Sequence, residues 1–266
     1  MTSYLNAVIL GIVEGLTEFL PVSSTGHLII SGHLLGFTGP KAETFEIVIQ
    51  LGAILAVVAM YLPTFWGLVR PTGRAFGGLR GLMLLFLTSL PASLLGLLAH
   101  STIKTYLFTP VSVAFALAAG ALAILVVERM PRRIRVADLD GITPAMALGV
   151  GCFQCLALWP GFSRSAATIM GGMILGADRR AAAEYSFIAA VPLMFAATGY
   201  DLLKSWRLFG PDDLLVLAVG FGVSFLAAWA AVKGFISLLG RLTLRPFAWY
   251  RLALAPVVLW VFWGAS

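Results

Sequence analysis

Six stretches of this chain, at roughly residues 45–62, 82–99, 110–128, 184–201, 213–233 and 247–264, are apolar over the length that a bilayer crossing demands. A helical span takes about 20 mostly apolar residues, within a usable range of about 17–25. The composition agrees, with 60% hydrophobic and 11% charged residues in 266, where a soluble domain has roughly 45–50% and about 25%. That balance excludes a cytosolic enzyme, a disordered chain and a disulfide scaffold. The expected fold class is an all-α polytopic membrane protein with six transmembrane helices, forming one membrane domain over residues 1–266.

Two further apolar stretches are interrupted. Residues 5–36 are broken by Pro21-Val22-Ser23-Ser24-Thr25-Gly26-His27, and residues 144–176 by Pro160-Gly161-Phe162-Ser163-Arg164-Ser165. Each half is too short to cross and each centre is polar. The pattern predicts two re-entrant helix–loop–helix hairpins, which survive at membrane depth only where they are buried in protein or line a wet cavity. At a constant offset of 140, Gly11, Leu16, Ser23, Ile29, Gly32, Leu35 and Gly36 match Gly151, Leu156, Ser163, Ile169, Gly172, Leu175 and Gly176. Glu14 falls on Gln154, Ser24 on Arg164 and Thr25 on Ser165. The chain therefore reads as two units, residues 1–128 and 144–266, each a hairpin followed by three spans. An odd number of spans inverts the second unit, and an inverted repeat predicts a site at the midplane where the broken helices meet.

The net charge of +6 is distributed by membrane side, which argues against a nucleic-acid partner. Call the side from which the first hairpin enters X and the other Y. The topology places Arg70, Arg74, Arg80, Arg129, Arg132, Arg133, Arg135, Arg179, Arg180, Lys233, Arg241 and Arg245 on Y, and only Lys41, Lys104, Lys204 and Arg207 on X. Arg251 falls near the Y end of the last span. Cytoplasmic loops carry the basic excess, so Y is expected to be cytoplasmic, with the first hairpin opening outward. The start of the chain lacks a basic n-region and a small-residue cleavage site, so it does not read as a cleavable signal peptide.

Glu14 and Glu18 are four residues apart and share one helix face. An ionisable residue at membrane depth costs about 2.5–3.5 kcal/mol even on lenient scales, and two together repel unless they share a cation or a proton. Hard cations such as Mg²⁺ take oxygen ligands, often one or two carboxylates plus substrate phosphates. Ser23, Ser24 and Thr25 follow the proline and would cap the second limb, where backbone N–H groups bind anions. Ser24 and His27, three apart, place a hydroxyl near a base, the arrangement that activates an oxygen nucleophile. Arg164 sits in the second break among Ser163, Ser165 and Thr168, and its planar fork suits phosphate oxygens. The alternative is an ion pair with Glu14 or Glu18, and both could hold in turn, paired when empty and on phosphate when occupied. Gln154 joins the phosphate-binding candidates as the counterpart of Glu14. Buried carboxylates, a hydroxyl cluster and an arginine are the parts phosphoryl chemistry needs. A buried pocket implies a substrate with an apolar tail. A transporter of lipid phosphates would share the inverted repeat but needs no activated nucleophile.

At these residues the chain resembles a known family. Glu14-Gly-Leu-Thr-Glu18-Phe-Leu-Pro-Val-Ser-Ser-Thr-Gly-His27 and Pro160-Gly-Phe-Ser-Arg-Ser165 look like the two signature motifs of the bacterial undecaprenyl-diphosphate phosphatases of the bacitracin-resistance integral-membrane type. The resemblance extends from about Leu10 to Tyr250. It implies hydrolysis of undecaprenyl diphosphate to undecaprenyl phosphate and inorganic phosphate, which recycles the lipid carrier of peptidoglycan synthesis and lowers bacitracin sensitivity. It also implies a divalent cation, Mg²⁺ or Ca²⁺, and essential roles at Glu14, Glu18, Ser24, His27 and Arg164. The site would face the periplasm from the bacterial inner membrane. Ser24, His27 and water all remain open as the nucleophile. The substrate partner is a polyprenyl diphosphate in membrane lipid, and a homodimer is compatible with the sequence.

Overall fold

A computed structural model describes residues 4–70, 73–131, 133–205, 208, 210, 213–239 and 242–262. Arg132, Arg207 and Arg241 of the charge count lie outside these residues, as does the end of the sixth predicted span. The described elements are helical, with one isolated parallel bridge between Val136 and Ala177.

Five helices are long and apolar enough to span: α3 (Pro40–Met60), α5 (Gly78–Leu98), α7 (Pro110–Val127), α10 (Arg179–Ser205) and α11 (Leu214–Leu239). The sixth predicted segment forms α12 (Arg245–Val261), 17 residues long. Large apolar side chains such as Leu79, Leu97, Leu98 and Trp260 point outward, the arrangement of a surface solvated by lipid rather than water. Two short helices not anticipated from the sequence, α4 (Leu62–Val69) and α6 (His100–Tyr106), follow α3 and α5. The chain is an all-α polytopic membrane protein.

Both interrupted stretches are broken helices. The first comprises α1 (Tyr4–Thr17) and α2 (Ser24–Leu34); the second comprises α8 (Pro144–Gln154), a 3-10 turn at Cys155–Leu158, and α9 (Arg164–Ile174). At 1.5 Å per residue even the 14-residue α1 reaches only about 21 Å, short of the hydrocarbon thickness. The breaks share a backbone. Among the described residues, Ser23 and Ser163 are the non-glycine residues at positive φ, 72° and 76°, and each caps its helix by accepting from the N–H three residues on, Gly26 and Ala166. Such conformations cost of order 1–3 kcal/mol and persist where their surroundings over-determine them. The far ends match too, with Phe37 N–H on Gly32 O and Ala177 N–H on Gly172 O, each beside a glycine at positive φ, Gly36 and Gly176.

Glycine sets how closely the broken helices approach their supports. A Cβ on Gly15 of α1 would stand 2.5 Å from Ser224 O of α11, and one on Gly151 of α8 would stand 2.6 Å from Thr88 O of α5. Gly15→Ala is therefore expected to push α1 off α11 and move Glu14 and Glu18 with it. Overpacking of this kind costs about 1–3 kcal/mol, visible as a lowered unfolding temperature in detergent; an unchanged value would mean that α1 is not seated on α11 as described.

At one end of the bundle Glu128, buried at the close of α7, accepts from Arg179 Nε (2.9 Å) and Nη2 (2.6 Å) and from the Leu244 N–H (2.9 Å). This bidentate pair clips α7 to α10 and to the start of α12. It thereby anchors the start of the helix that carries Tyr250 and Arg251.

Candidate active site

The first break begins at Glu18, just past α1, and ends at Ser23; the second ends at Ser163. Ser24 and Arg164 are thus the first residues of α2 and α9. The Ser24 hydroxyl donates to Glu18 Oε2 at 2.5 Å, and Arg164 Nη2 donates to Glu18 Oε1 at 3.3 Å. One carboxylate therefore joins both breaks, with a serine on one oxygen and a guanidinium on the other. Arg164 also donates through Nη1 to Ser186 O and lies 5.4 Å over the Phe19 ring, a cation–π distance. Its Nε is buried without a partner. The structure thus shows the ion pair that the sequence allowed, with part of the guanidinium's donor capacity unspent.

The spacing of Ser24 and His27 suggested a serine–histidine pair, and the structure arranges them otherwise. His27 Nδ1 lies 2.7 Å from Ser23 O and Nε2 lies 2.6 Å from the Tyr250 hydroxyl. A carbonyl only accepts, so Nδ1 carries a proton, and in the neutral ring Nε2 accepts from Tyr250. The base touching Ser24 is Glu18. Helical spacing misled because the chain turns between residues 18 and 24, bringing a more distant carboxylate onto the hydroxyl.

Glu14 is 1% exposed, and neither of its carboxylate oxygens has a hydrogen-bond partner. Glu18, Glu46 and Arg164 are the charged groups that act on it. Leaving such a group unmatched is costly, and an oxygen pair with no donor fits a hard cation. No three His, Cys, Asp or Glu residues converge as metal ligands among the described residues. A cation here would have Glu14 and its neighbour Glu18 as its protein donors, and the rest of its shell would be water and substrate oxygens.

The remaining candidates brace the breaks. Ser165, wholly buried, donates to Leu20 O across to the first break at 2.8 Å. Ser163 lies 3.0 Å from Ser165 Oγ, and Thr168 donates to Arg164 O and contacts Ser186 Oγ. The hydroxyls of Ser165 and Thr168 each bond within the protein. Ser23 acts as a cap, and Thr25 is half-buried beside Ser24. Gln154 gives its amide to Thr88 O and keeps a buried, unpartnered Oε1.

The sequence reading missed two residues on α12. Arg251, expected near the end of the last span, is fully buried. It donates to Pro21 O of the first break, to Gly161 O and Phe162 O of the second, and to Ala116 O and Leu117 O of α7. No carboxylate meets it among the described residues, so backbone carbonyls alone stabilise its charge. Gly120 makes room for it, since a Cβ there would collide with the guanidinium. The signal that could have found Arg251 is the one that found Arg164, an arginine inside an apolar stretch. Tyr250, half-exposed, reaches His27 across 223 residues of sequence, and no local pattern announces that contact.

Fold and site together define a polytopic membrane protein that gathers a serine, two buried carboxylates and an arginine where two broken helices meet. The chain belongs to the bacitracin resistance protein BacA family, which matches residues 7–257. It is 73% identical over 259 residues to a protein of Nitratidesulfovibrio vulgaris strain Hildenborough, covering 97% of this chain and 98% of the relative. A Maridesulfovibrio salexigens protein is 72% identical over 265 residues, covering 99% and 100%. One from Lawsonia intracellularis is 59% identical over 262 residues, covering 97% and 98%. All three carry the name undecaprenyl-diphosphatase.

Proposed function

We propose that the chain hydrolyses undecaprenyl diphosphate to undecaprenyl phosphate and inorganic phosphate, the activity for which its relatives are named. The observation that carries the reading is the unbroken line Ser24–Glu18–Arg164 across the two breaks. Glu18 takes the hydroxyl proton as Ser24 Oγ attacks the terminal phosphorus, and Arg164 turns part of its fork from Glu18 to the phosphoryl oxygens. The bond to the bridging oxygen breaks and polyprenyl phosphate leaves. Water then attacks the phosphoserine, Glu18 returns its proton to the departing Ser24 Oγ, and the proton shed by water stays on the inorganic phosphate that is released. His27, neutral as it sits between Ser23 O and Tyr250, can take a proton from solvent at Nε2 and hand it to the departing phosphate. A divalent cation, when bound, neutralises phosphate charge; Glu14 and Glu18 are the residues to hold it. The bias of basic residues to one side supports a site opening to the periplasmic side of the bacterial inner membrane.

The test is phosphate release from a C55 polyprenyl diphosphate by the purified chain in detergent, with Mg²⁺ or Ca²⁺ and with a chelator. Metal-dependent release is expected. No release from folded, lipid-binding protein in either condition would sink the hydrolase and put lipid-phosphate transport first. Glu14→Gln should raise the metal concentration for half-maximal rate about tenfold or more, since it removes one of the two carboxylates. A metal response equal to wild type would move the cation elsewhere. Tyr250→Phe should alter the pH–rate profile while leaving KM close to wild type, because the tyrosine contacts the acid–base histidine. An unaltered profile would remove Tyr250 and His27 from proton transfer.

A further inference from the structure

Away from the breaks, a second set of polar groups has no role in the chemistry above. A cavity of about 360 Å³ opens between the end of α3, the start of α10 and the later turns of α11, lined by Met60, Tyr61, Arg180, Lys233, Ile236 and Ser237. Lys233 makes no hydrogen bond or ion pair among the described residues. Arg180 bonds Glu184 through Nε at 2.9 Å, and its two terminal nitrogens have no partner among those residues. The Tyr61 hydroxyl is likewise unused there, and Ser237 donates to Gly234 O while keeping its acceptor capacity. Two cations and two hydroxyls thus face one space whose remaining wall is apolar, from Met60 and Ile236.

The level of this cavity relative to the membrane follows from its neighbours. Tyr61 leads directly into α4, where Trp66 is 55% exposed and Arg70 stacks over its ring at 4.8 Å. An exposed tryptophan with a basic residue marks the headgroup level of a bilayer. Arg74 and Arg80 follow on the same side in the topology. A basic pocket between transmembrane helices at that level suits a phosphate-bearing lipid head, with the apolar wall against its glycerol and upper acyl carbons.

We propose that this cavity binds the phosphate headgroup of an anionic phospholipid, holding it between α3, α10 and α11. It shares no residue with the catalytic breaks, so binding there is separable from hydrolysis. The experiment is native mass spectrometry and thermal unfolding of the full-length chain titrated with phosphatidylglycerol, phosphatidylcholine or inorganic phosphate. Wild type is expected to retain phosphatidylglycerol preferentially and to be stabilised by it. Lys233→Gln should weaken retention roughly fivefold, the share of one cation at a membrane surface, and Arg180→Gln by a similar factor, with phosphate release unchanged in Lys233→Gln. Lys233 is exposed and unpaired among the described residues, so its variant tests the site even if Arg180→Gln folds poorly. Arg74→Gln, the same charge change in the neighbouring loop, should leave retention as it is. Wild-type retention in Lys233→Gln, or an equal loss in Arg74→Gln, would overturn the site. Equal stabilisation by inorganic phosphate would overturn the headgroup as its occupant.

Discussion

Ser24→Ala is expected to reduce phosphate release by about 10⁴-fold or more while leaving the protein folded. Members of a nucleophile–base unit show losses of this size when removed singly, and their effects do not add. The serine is half-buried at the first position of α2, where alanine is sterically harmless, and the capping hydroxyl belongs to Ser23. A steady-state assay on purified Ser24→Ala, Glu18→Gln and the double variant checks the unit. The double should be no slower than the worse single. Glu18→Gln carries a second penalty, because it leaves Arg164 buried with no carboxylate partner of its own, so its unfolding temperature should fall where that of Ser24→Ala does not. Ordinary turnover by Ser24→Ala would transfer the attack to water or to His27 and leave Glu18 as the counter-ion of Arg164 alone.

Arg251→Met is expected to have the largest effect on the fold. Methionine approximates the length of the arginine stem, yet it leaves carbonyls from three elements facing a thioether. Each buried carbonyl left without a donor costs about 1–3 kcal/mol, and partial relaxation brings the net loss to the order of 3–5 kcal/mol, as when one partner of a buried charge contact is removed. The unfolding temperature in detergent should drop accordingly, and activity should drop further, since Pro21, Gly161 and Phe162 lie in the loops that aim Ser24 and Arg164. Arg251→Lys should recover little, because an ammonium on a flexible stem does not span carbonyls on both sides as a planar fork does. An Arg251→Met protein with wild-type unfolding and turnover would show that the breaks hold their register without it.

Glu14, Glu18 and Arg164 were legible in the sequence because charge at membrane depth needs a reason, and that argument requires no neighbours. The breaks were legible from proline and serine interrupting stretches too short to cross. The partner of Ser24 was not legible, because the five residues between it and Glu18 include a turn, and helical spacing favoured His27. Arg251 escaped through a boundary: counting charges by side sets it at the end of the last span, and packing against α7 shows the seventh residue of a helix beginning at Arg245 to be an interior one. Ser165 and Thr168 resembled ligand donors by type. Whether a hydroxyl is free or already spent is decided by tertiary partners such as Leu20 O and Ser186, remote from the motif or a full helix away.

Ser24 and Arg164 occupy the same corner of two like-shaped turns, each directly after a serine held at positive φ. Two identical chains meeting about a twofold axis would have to place the same side chain at both corners, giving two hydroxyls or two guanidiniums and never one of each. A single polypeptide with unlike halves is free of that restriction. On the proposed roles its pocket therefore has a handedness, with attack from one wall and charge neutralisation from the other. A phosphoryl group can be turned over there in one orientation only.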